Sequence, residues 1–301
     1  MSALCLDDLS QDFVIASHET CSPNFLEELI ANERVHAIQG LADLDRRMGE
    51  PGTGLEGFRQ LFTFRYKDTP AVYVTIAYIK GLPTQLQGIL YGKGDLYETP
   101  DTAVPYAISK CKNPYTKGVE GLGQALLLRV REYLAVNKPS INTMATLSPL
   151  AGFRNWISND KPWIRPEDGK IVSFKEFLKP LKGSGFITAS EKTLKDWAQD
   201  PTLVLPEVGF QTWELKNLAL AYSLFSGQNS VAQFHCGNGA FVGDIRMDAN
   251  LSINGLRDSF GMMINYIYPP EPQRLLNAAN FAKRHRAFCT PANRSLLQAS
   301  L

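Results

Sequence analysis

The stretch FRQLFTFRYKDTPAVYVTIAYI, residues 58–79, constrains the fold more than any other part of the sequence. Residues 58–66 and 71–79 are both rich in β-branched and aromatic residues, which favour strands. The four residues between them, KDTP, are typical of a hairpin connection. The sequence therefore predicts two neighbouring antiparallel strands.

Helical patterns precede this hairpin. Residues 22–38 predict a helix, with Ser22 as its N-cap and Pro23 in its first turn. LADLDRRM, residues 41–48, predicts a second helix, and the turn cluster EPGTG follows at residues 50–54. A helical segment thus leads into the sheet.

The centre of the chain alternates strands and helices. Residues 103–111 predict a third strand, and KNPYTKGVEGLGQALLLRVREYLAV predicts a strand, a Gly-rich turn and an amphipathic helix from about Leu122 to Val136. NTMATLSPLAGFRNWI then indicates a strand, a Ser-Pro junction and a helix.

The last part of the chain first leaves the sheet and then returns to it. Charged helical pieces separated by Pro and Gly indicate an insertion outside the main sheet at residues 158–212. Residues 213–226 predict a buried helix. SVAQFHCGNGAFVGDI, residues 230–245, predicts a strand with His235 at its end, and MMINYIY predicts a strand that ends at Tyr268. The order predicts an α+β, or mixed α/β, fold with a largely antiparallel sheet.

Composition narrows the class of protein. The chain has 301 residues, 44% of them hydrophobic, and a formal net charge of +1, so no overall charge attracts nucleic acid or an anionic membrane. Five cysteines without C-x-x-C spacing suggest neither a zinc site nor a disulfide framework. The longest apolar run, residues 71–79, is far shorter than the ~20 residues that span a bilayer. We therefore expect a soluble cytoplasmic protein, and we interpret KRHR at 283–286 as a solvated face rather than a phosphate site.

Four segments could carry chemistry, and each has a structural alternative. KGVEGLG at 117–123 could hold a pyrophosphate at a helix N-terminus, or be a plain strand-to-helix turn. Ser148 in TLSP could be a helix N-cap or a reactive hydroxyl at a strand end. His235 could be a core residue or an acid–base group. Tyr266 and Tyr268 lie on one face of the predicted strand, with Asn265 and Ile267 on the other, and the two tyrosines could simply be packing residues.

In combination these segments resemble the malonyl-CoA decarboxylase family. The resemblance lies in the order G-V-E…L-G, T-L-S-P…G-F…W, A-x-F-H…G-N-G-A and G-x-M…N-Y-x-Y, and it covers nearly the whole chain. It extends to three flanking segments, FLEELIANERVHAIQGLADLDRRM, PAVYVTIAYIKGLPTQLQGIL and CTPANRSLLQAS. The resemblance implies a GNAT acyltransferase-like fold that binds malonyl-CoA. We expect one catalytic domain over residues 1–301, with a helical lead-in at 1–50 and the insertion at 158–212.

The resemblance also implies residue roles. His235 and Ser148 match the family's catalytic proton-transfer residues. Glu120 and Tyr268 match two polar residues that line its pocket, and we expect them to belong to the catalytic set by fixing His235 and the pocket. The CoA-binding loop falls on Lys117, Gly118, Val119, Glu120, Gly121, Leu122, Gly123 and Gln124.

The implied reaction is the decarboxylation of malonyl-CoA to acetyl-CoA and CO2, without a metal or an organic cofactor. Loss of CO2 leaves an enolate that placed donors must stabilise, and Cα then needs a proton. We expect His235 to donate it with a pKa near neutrality, and Ser148, held at a helix N-terminus, to orient the carboxylate or relay a proton. The alternatives are a decarboxylase or acyltransferase acting on malonyl or methylmalonyl groups of an acyl carrier protein, and a non-catalytic CoA-binding module.

The chain departs from the family pattern at three places. Because the sequence starts almost at the segment that resembles the catalytic domain, we expect no N-terminal helical domain and more surface open to a carrier protein. A homo-oligomer is kept as an alternative to a monomer. The Gly-rich loop has one extra residue, Gly121 or a neighbour, and SGQNS at 226–230 replaces a longer connection before His235. We expect the last difference to affect the acyl end of the pocket.

Overall fold

The structure is a computed structural model, which describes residues 6–92, 99–112, 114–159, 162–164, 168–185, 187–200, 212–284, 288–290 and 293. The chain forms two compact units. The first comprises residues 1–83 and 88–145, and the second comprises residues 84–87 and 146–301.

Both parts of the chain contain helices and strands. Up to residue 149 they are α1 Leu6–Ser10, β1 Phe13–Ile15, α2 Pro23–Asn32, α3 Leu41–Met48, β2 Arg59–Tyr66, β3 Thr69–Ile79, α4 Leu86–Leu90, β4 Thr102–Lys110, a 3-10 turn Pro114–Thr116, α5 Leu122–Asn137 and β5 Thr143–Pro149. Beyond it they are α6 Phe153–Ser158, β6 Trp163–Ile164, β7 Ile171–Val172, α7 Phe174–Gly183, α8 Glu191–Gln199, α9 Thr212–Phe225, α10 Ser230–Gly237, β8 Phe241–Arg246, α11 Ile253–Ser259, β9 Met263–Tyr268, α12 Gln273–Arg284 and β10 Phe288–Cys289.

The predicted hairpin is confirmed as the centre of the first unit. Strands β2 and β3 pair antiparallel, with Phe62 opposite Val74. The turn between them is shorter than KDTP: Lys67 and Asp68 have φ of 50° and 56°, as in the two-residue turns that match strand twist. The strand order in this unit is β1-β2-β3-β4-β5, and only the β4–β5 pair is parallel.

Two predicted elements of the first unit have different limits. Ser22 caps α2 as predicted, because its side chain accepts a hydrogen bond from the Phe25 N–H. The helix ends at Asn32 rather than residue 38, since the Glu33 carboxylate accepts the next backbone N–H groups and forms a turn instead. The strand predicted at KNPYT is wrong: the segment forms a 3-10 turn, and the Thr116 hydroxyl donates to the Cys111 carbonyl.

The second unit has the strand order β5-β9-β8-β10, in which β8 and β9 pair antiparallel and β8 and β10 parallel. The predicted insertion lies outside this sheet, with its own two-stranded hairpin β6–β7 and the helices α7 and α8. Aromatic packing holds it: the Trp156 ring of α6 contacts Phe174 and Phe177 of α7, with ring centroids 4.9 and 5.0 Å apart. The mixed α+β fold with largely antiparallel pairing is confirmed.

Two predictions near the candidate site are wrong. Pro149 ends β5 and does not begin a helix, because the chain turns at Gly152, whose φ is +76°, and α6 starts at Phe153. Residues 230–237 form a helix, not a strand, since Ala232, His235 and Cys236 bury one face at the spacing i, i+3, i+4.

The described helices include none that is both long and apolar enough to cross a membrane. The four described cysteines, Cys21, Cys111, Cys236 and Cys289, are buried. Residues 285 and 286 of KRHR and most of the C-terminal tail lie outside the described residues.

Candidate active site

Ser148 lies near the end of β5 and is buried. Its Oγ is 3.0 Å from His235 Nε2 and donates to Thr146 Oγ1 at 2.9 Å. The N-cap alternative is wrong because α6 begins five residues later, at Phe153. Ser148 therefore belongs to a side-chain network and not to a helix cap.

His235 joins this serine to the neighbouring strand. It lies in the last turn of α10, and its Nδ1 is 2.6 Å from the Tyr268 hydroxyl of β9. The imidazole stacks on Tyr266, with centroids 4.2 Å apart and planes 17° apart. Three elements of the second unit thus bring Ser148, His235 and Tyr268 together, and the stacking fixes the plane of the imidazole.

The helix that carries His235 is fixed at its start by the SGQNS loop. Asn229 caps α10 by accepting the Ala232 N–H at 3.0 Å, and its amide donates to the Ser223 hydroxyl of α9. Ser226 donates to the Tyr222 carbonyl, which ties the loop to the end of α9. This short loop therefore sets the start of α10.

The Gly-Asn-Gly turn fixes the other end of α10. Gly239 has φ +86°, and a Cβ there would overlap the Arg274 carbonyl of α12, so only glycine fits. Arg274 and Asn277 donate to the carbonyls of Asn238 and Gly239. The turn ends a helix, not the strand that the sequence suggested, but it does fix the end of the helix that carries His235.

Burial determines the protonation of His235. Its side chain is enclosed without a charged partner, and desolvation lowers the pKa of His235 to about 3. The expected pKa near neutrality is therefore wrong. The imidazole is therefore neutral at pH 7. It can take up a proton on one nitrogen while it gives one from the other, but it is not an imidazolium at the start of the reaction.

Three residues of this network went unassigned in the sequence. Thr146 accepts from Ser148, Tyr266 stacks on His235, and Asn265 donates from Nδ2 to the Thr146 carbonyl at 3.1 Å. The period-two alternation of strands could have shown the first two, because Thr146 shares a strand face with Ser148, and Tyr266 with Tyr268. No sequence signal indicates the contact of Asn265 with β5.

The Gly-rich loop belongs to the first unit. Gly121, with φ +77°, caps α5 without a side-chain hydrogen bond. Lys110 donates to the Val119 carbonyl at 2.6 Å, which holds the loop against β4. The Glu120 side chain is exposed. The free helix start agrees with an anion-binding loop, and the roles of Lys117–Gln124 and Glu120 stay predictions.

Among the described residues, no group of three or more His, Cys, Asp or Glu side chains could hold a metal ion. The polar groups of the site are therefore hydroxyls, an imidazole and an amide.

Comparisons with known proteins give a consistent result. The family model described as the C-terminal domain of malonyl-CoA decarboxylase matches residues 16–300. The mitochondrial malonyl-CoA decarboxylase of Anser anser anser is 28% identical over 279 residues, which cover 86% of this chain and 53% of that protein. The chain thus spans about half the length of the curated relatives it matches.

Solved structures agree. The crystal structure of malonyl-CoA decarboxylase from Agrobacterium vitis matches with a TM-score of 0.65 and 28% identity, covering 94% of this chain and 66% of that one. The enzyme of that name from Cupriavidus metallidurans matches with a TM-score of 0.64 and 25% identity, covering 95% and 67%.

Proposed function

This chain belongs to the malonyl-CoA decarboxylase family, and from that premise we propose that it converts a malonyl thioester into an acetyl thioester and CO2. The observation that carries the proposal is the hydrogen-bonded set of Ser148, His235 and Tyr268, buried in the second unit. All three were expected at the site from the sequence, and His235 lies within hydrogen-bond distance of both Ser148 and Tyr268.

The chemistry fits groups of this kind. As the bond between Cα and the carboxylate breaks, its electron pair moves into an enolate whose charge lies largely on the thioester oxygen. Hydrogen-bond donors fixed in advance stabilise that charge without having to reorganise. Cα then takes a proton, which in our proposal comes from the Ser148–His235 pair.

His235 acts in this proposal as a neutral relay. Burial lowers the pKa of His235 to about 3, so the neutral imidazole is the form present at pH 7. It can give the proton of one ring nitrogen while the other takes a proton from Tyr268, 2.6 Å away. Tyr268 is thus the second proton donor, and it regains a proton from solvent after each turnover. Ser148 passes the proton of the imidazole to the substrate when its hydroxyl hydrogen turns from Thr146 to Cα.

We assign the rest of the substrate to the Gly-rich loop. Lys117–Gln124 includes the first turn of α5, whose uncapped N–H groups and positive dipole end suit a pyrophosphate. Malonyl-CoA is therefore the first substrate in the proposal, and malonyl or methylmalonyl groups on a carrier protein come second. The proposed steps use no metal or organic cofactor.

The test is a direct assay of the purified protein. Incubation with malonyl-CoA should release CO2 and acetyl-CoA in equal amounts, and parallel assays with methylmalonyl-CoA and malonyl-carrier protein rank the three substrates by kcat/KM. Transfer of the acyl group to an added amine, with no CO2 released, would instead identify an acyltransferase. Binding of CoA thioesters without turnover of any of them would contradict the proposal and indicate a binding module.

A further inference from the structure

The hydrogen bonds at Ser148 have a defined direction. Ser148 Oγ donates to Thr146 Oγ1 at 2.9 Å, and a serine hydroxyl has only one hydrogen. In the 3.0 Å contact with His235 Nε2, Ser148 Oγ must therefore be the acceptor. It follows that His235 carries its proton on Nε2.

The same count fixes the bond to Tyr268. A neutral imidazole has one ring hydrogen, so Nδ1 of His235 is an acceptor. The 2.6 Å contact is then one in which the Tyr268 hydroxyl donates to Nδ1. All donors point the same way, from Tyr268 through His235 and Ser148 to Thr146.

Thr146 stands at the end of this chain of donors. Its Oγ1 accepts from Ser148, and among the residues that the structure describes, no group accepts the hydrogen of the Thr146 hydroxyl. Asn265 of β9 holds the backbone of β5 at Thr146, because its Nδ2 donates to the Thr146 carbonyl at 3.1 Å. The network therefore ends at the Thr146 hydroxyl, a fixed donor whose hydrogen has no acceptor among the described residues.

The donor chain is buried, but none of its four residues is completely inaccessible. Thr146 is 6% exposed, Ser148 7%, and His235 and Tyr268 9% each, so every member retains some accessible surface. Thr75 provides the contrast within the first unit: it is a strand threonine with 0% exposure whose hydroxyl also has no partner among the described residues, but it belongs to no donor chain. An unused hydroxyl hydrogen indicates function only when it ends a network that a ligand can reach.

We propose that Thr146 is a further catalytic residue, which donates its hydroxyl hydrogen to the oxygen that becomes negative as the malonyl thioester loses CO2. The inference rests on the proposed function and names the group that contacts the reacting oxygen. Aligned hydrogen bonds polarise one another, so Tyr268, His235 and Ser148 strengthen the terminal donor. Such a donor acts on the charge that develops in the transition state, and it therefore raises kcat more than it lowers KM.

The first test is a matched set of threonine variants assayed with malonyl-CoA. Thr146→Val keeps the shape and removes the hydroxyl, and kcat should fall about 10²–10³-fold, the usual effect of losing one oxyanion donor. The KM should change less than about threefold. Thr146→Ser restores a hydroxyl and should retain kcat within about tenfold of the wild type. Thr75→Val, the same substitution in a buried strand, should leave kcat unchanged.

The second test separates contact with the substrate from mere support of Ser148. If Thr146 only accepts the hydrogen of Ser148, adding Thr146→Val to Ser148→Ala should change nothing further. If Thr146 contacts the substrate, the double variant should lose at least about another tenfold in kcat. Absence of that further loss, in variants with wild-type circular dichroism and melting temperature, overturns the inference.

The two proposals fail in distinguishable ways. A wild-type protein that turns over no malonyl thioester contradicts the proposed function. An active wild type whose Thr146→Val variant keeps its kcat contradicts only the role of Thr146. A misfolded Thr146→Val is resolved by Thr146→Ser, in which a preserved kcat supports the role of the hydroxyl and a loss of about 10²-fold or more opposes it.

Discussion

The molecule contains two buried polar networks that connect helices to strands, and they differ in how they end. In the first unit the Glu33 carboxylate accepts from the N–H groups of Val35 and His36 and from the Tyr73 hydroxyl, which also lies near the Leu29 carbonyl. The Ser109 hydroxyl is 3.5 Å from the same carboxylate. Each of these donors has its acceptor inside the network, either the Glu33 carboxylate or the Leu29 carbonyl, so none is left for a ligand.

The network in the second unit is a linear chain of hydrogen bonds and does not converge on one acceptor group. In the inferred directions, Tyr268 donates to His235, His235 to Ser148, and Ser148 to Thr146. The hydrogen of the Thr146 hydroxyl has no acceptor among the described residues. A closed network of buried hydrogen bonds stabilises a fold, whereas an open one keeps a donor for a substrate. Both networks are buried and polar, so only the direction of their hydrogen bonds distinguishes them.

The largest expected effect is on the open network. His235→Ala removes the relay, so kcat with malonyl-CoA should fall about 10²–10⁴-fold, the usual contribution of a positioned acid–base group. The measurement is the steady-state rate of CO2 release. Full activity in a folded His235→Ala variant would show that the open chain does no chemistry.

The pH dependence of stability should follow from the same histidine. Its pKa is about 3 in the folded protein and 6.5 when unfolded, so between these values only the unfolded chain binds the proton. The contribution to stability is therefore complete above about pH 6.5 and is lost as pH falls toward 3. From pH 6 to pH 4 the wild type should lose about 1.4 kcal/mol per pH unit relative to His235→Gln, measured by urea unfolding.

A companion measurement uses the rate. If imidazolium were the acid, kcat would fall as the pH rises through about 6.5, the ordinary pKa of histidine. The neutral relay instead predicts a kcat that stays level from about pH 6 to pH 7.5, and a fall with a midpoint near 6.5 would contradict it.

A pair of tyrosine variants compares the two networks directly. Tyr73→Phe removes a donor from the buried Glu33 carboxylate and should cost about 1–3 kcal/mol of unfolding free energy while kcat stays unchanged. Tyr268→Phe should lower kcat about tenfold or more, with a smaller change in stability. The assays are urea unfolding and CO2 release on both variants. A loss of kcat in Tyr73→Phe and a loss of stability alone in Tyr268→Phe would reverse the roles given to the two networks.

The smallest effect concerns the loop before His235. Asn229→Ala removes the N-cap of α10 and should lower the unfolding free energy by about 1 kcal/mol, the usual value of such a cap. Asn229→Asp keeps the acceptor and serves as the control, and it should retain most of that stability. Equal losses in both variants would show that the amide donation to Ser223 matters more than the cap.

Much of the local structure could be predicted from the sequence. The hairpin of β2 and β3, the Ser22 cap and the buried helix α9 each follow from composition and spacing within a few residues. The helix at 230–237 was missed because it has only eight residues, and its short apolar run fits either a helix or a strand. The start of α6 was misplaced because Pro149 suits a helix start as well as a strand end.

The sequence by itself determined the mixed fold, the family and the candidates Ser148, His235 and Tyr268, because strand and helix propensities act locally and the motifs recur in a fixed order. Only the tertiary structure decided which of these side chains meet, and it added Thr146 and Tyr266. Ser148 and His235 are 87 residues apart in the chain, and no local rule fixes such a contact. The low pKa of His235 and the direction of its hydrogen bonds arise from packing, since desolvation depends on every element that surrounds the ring.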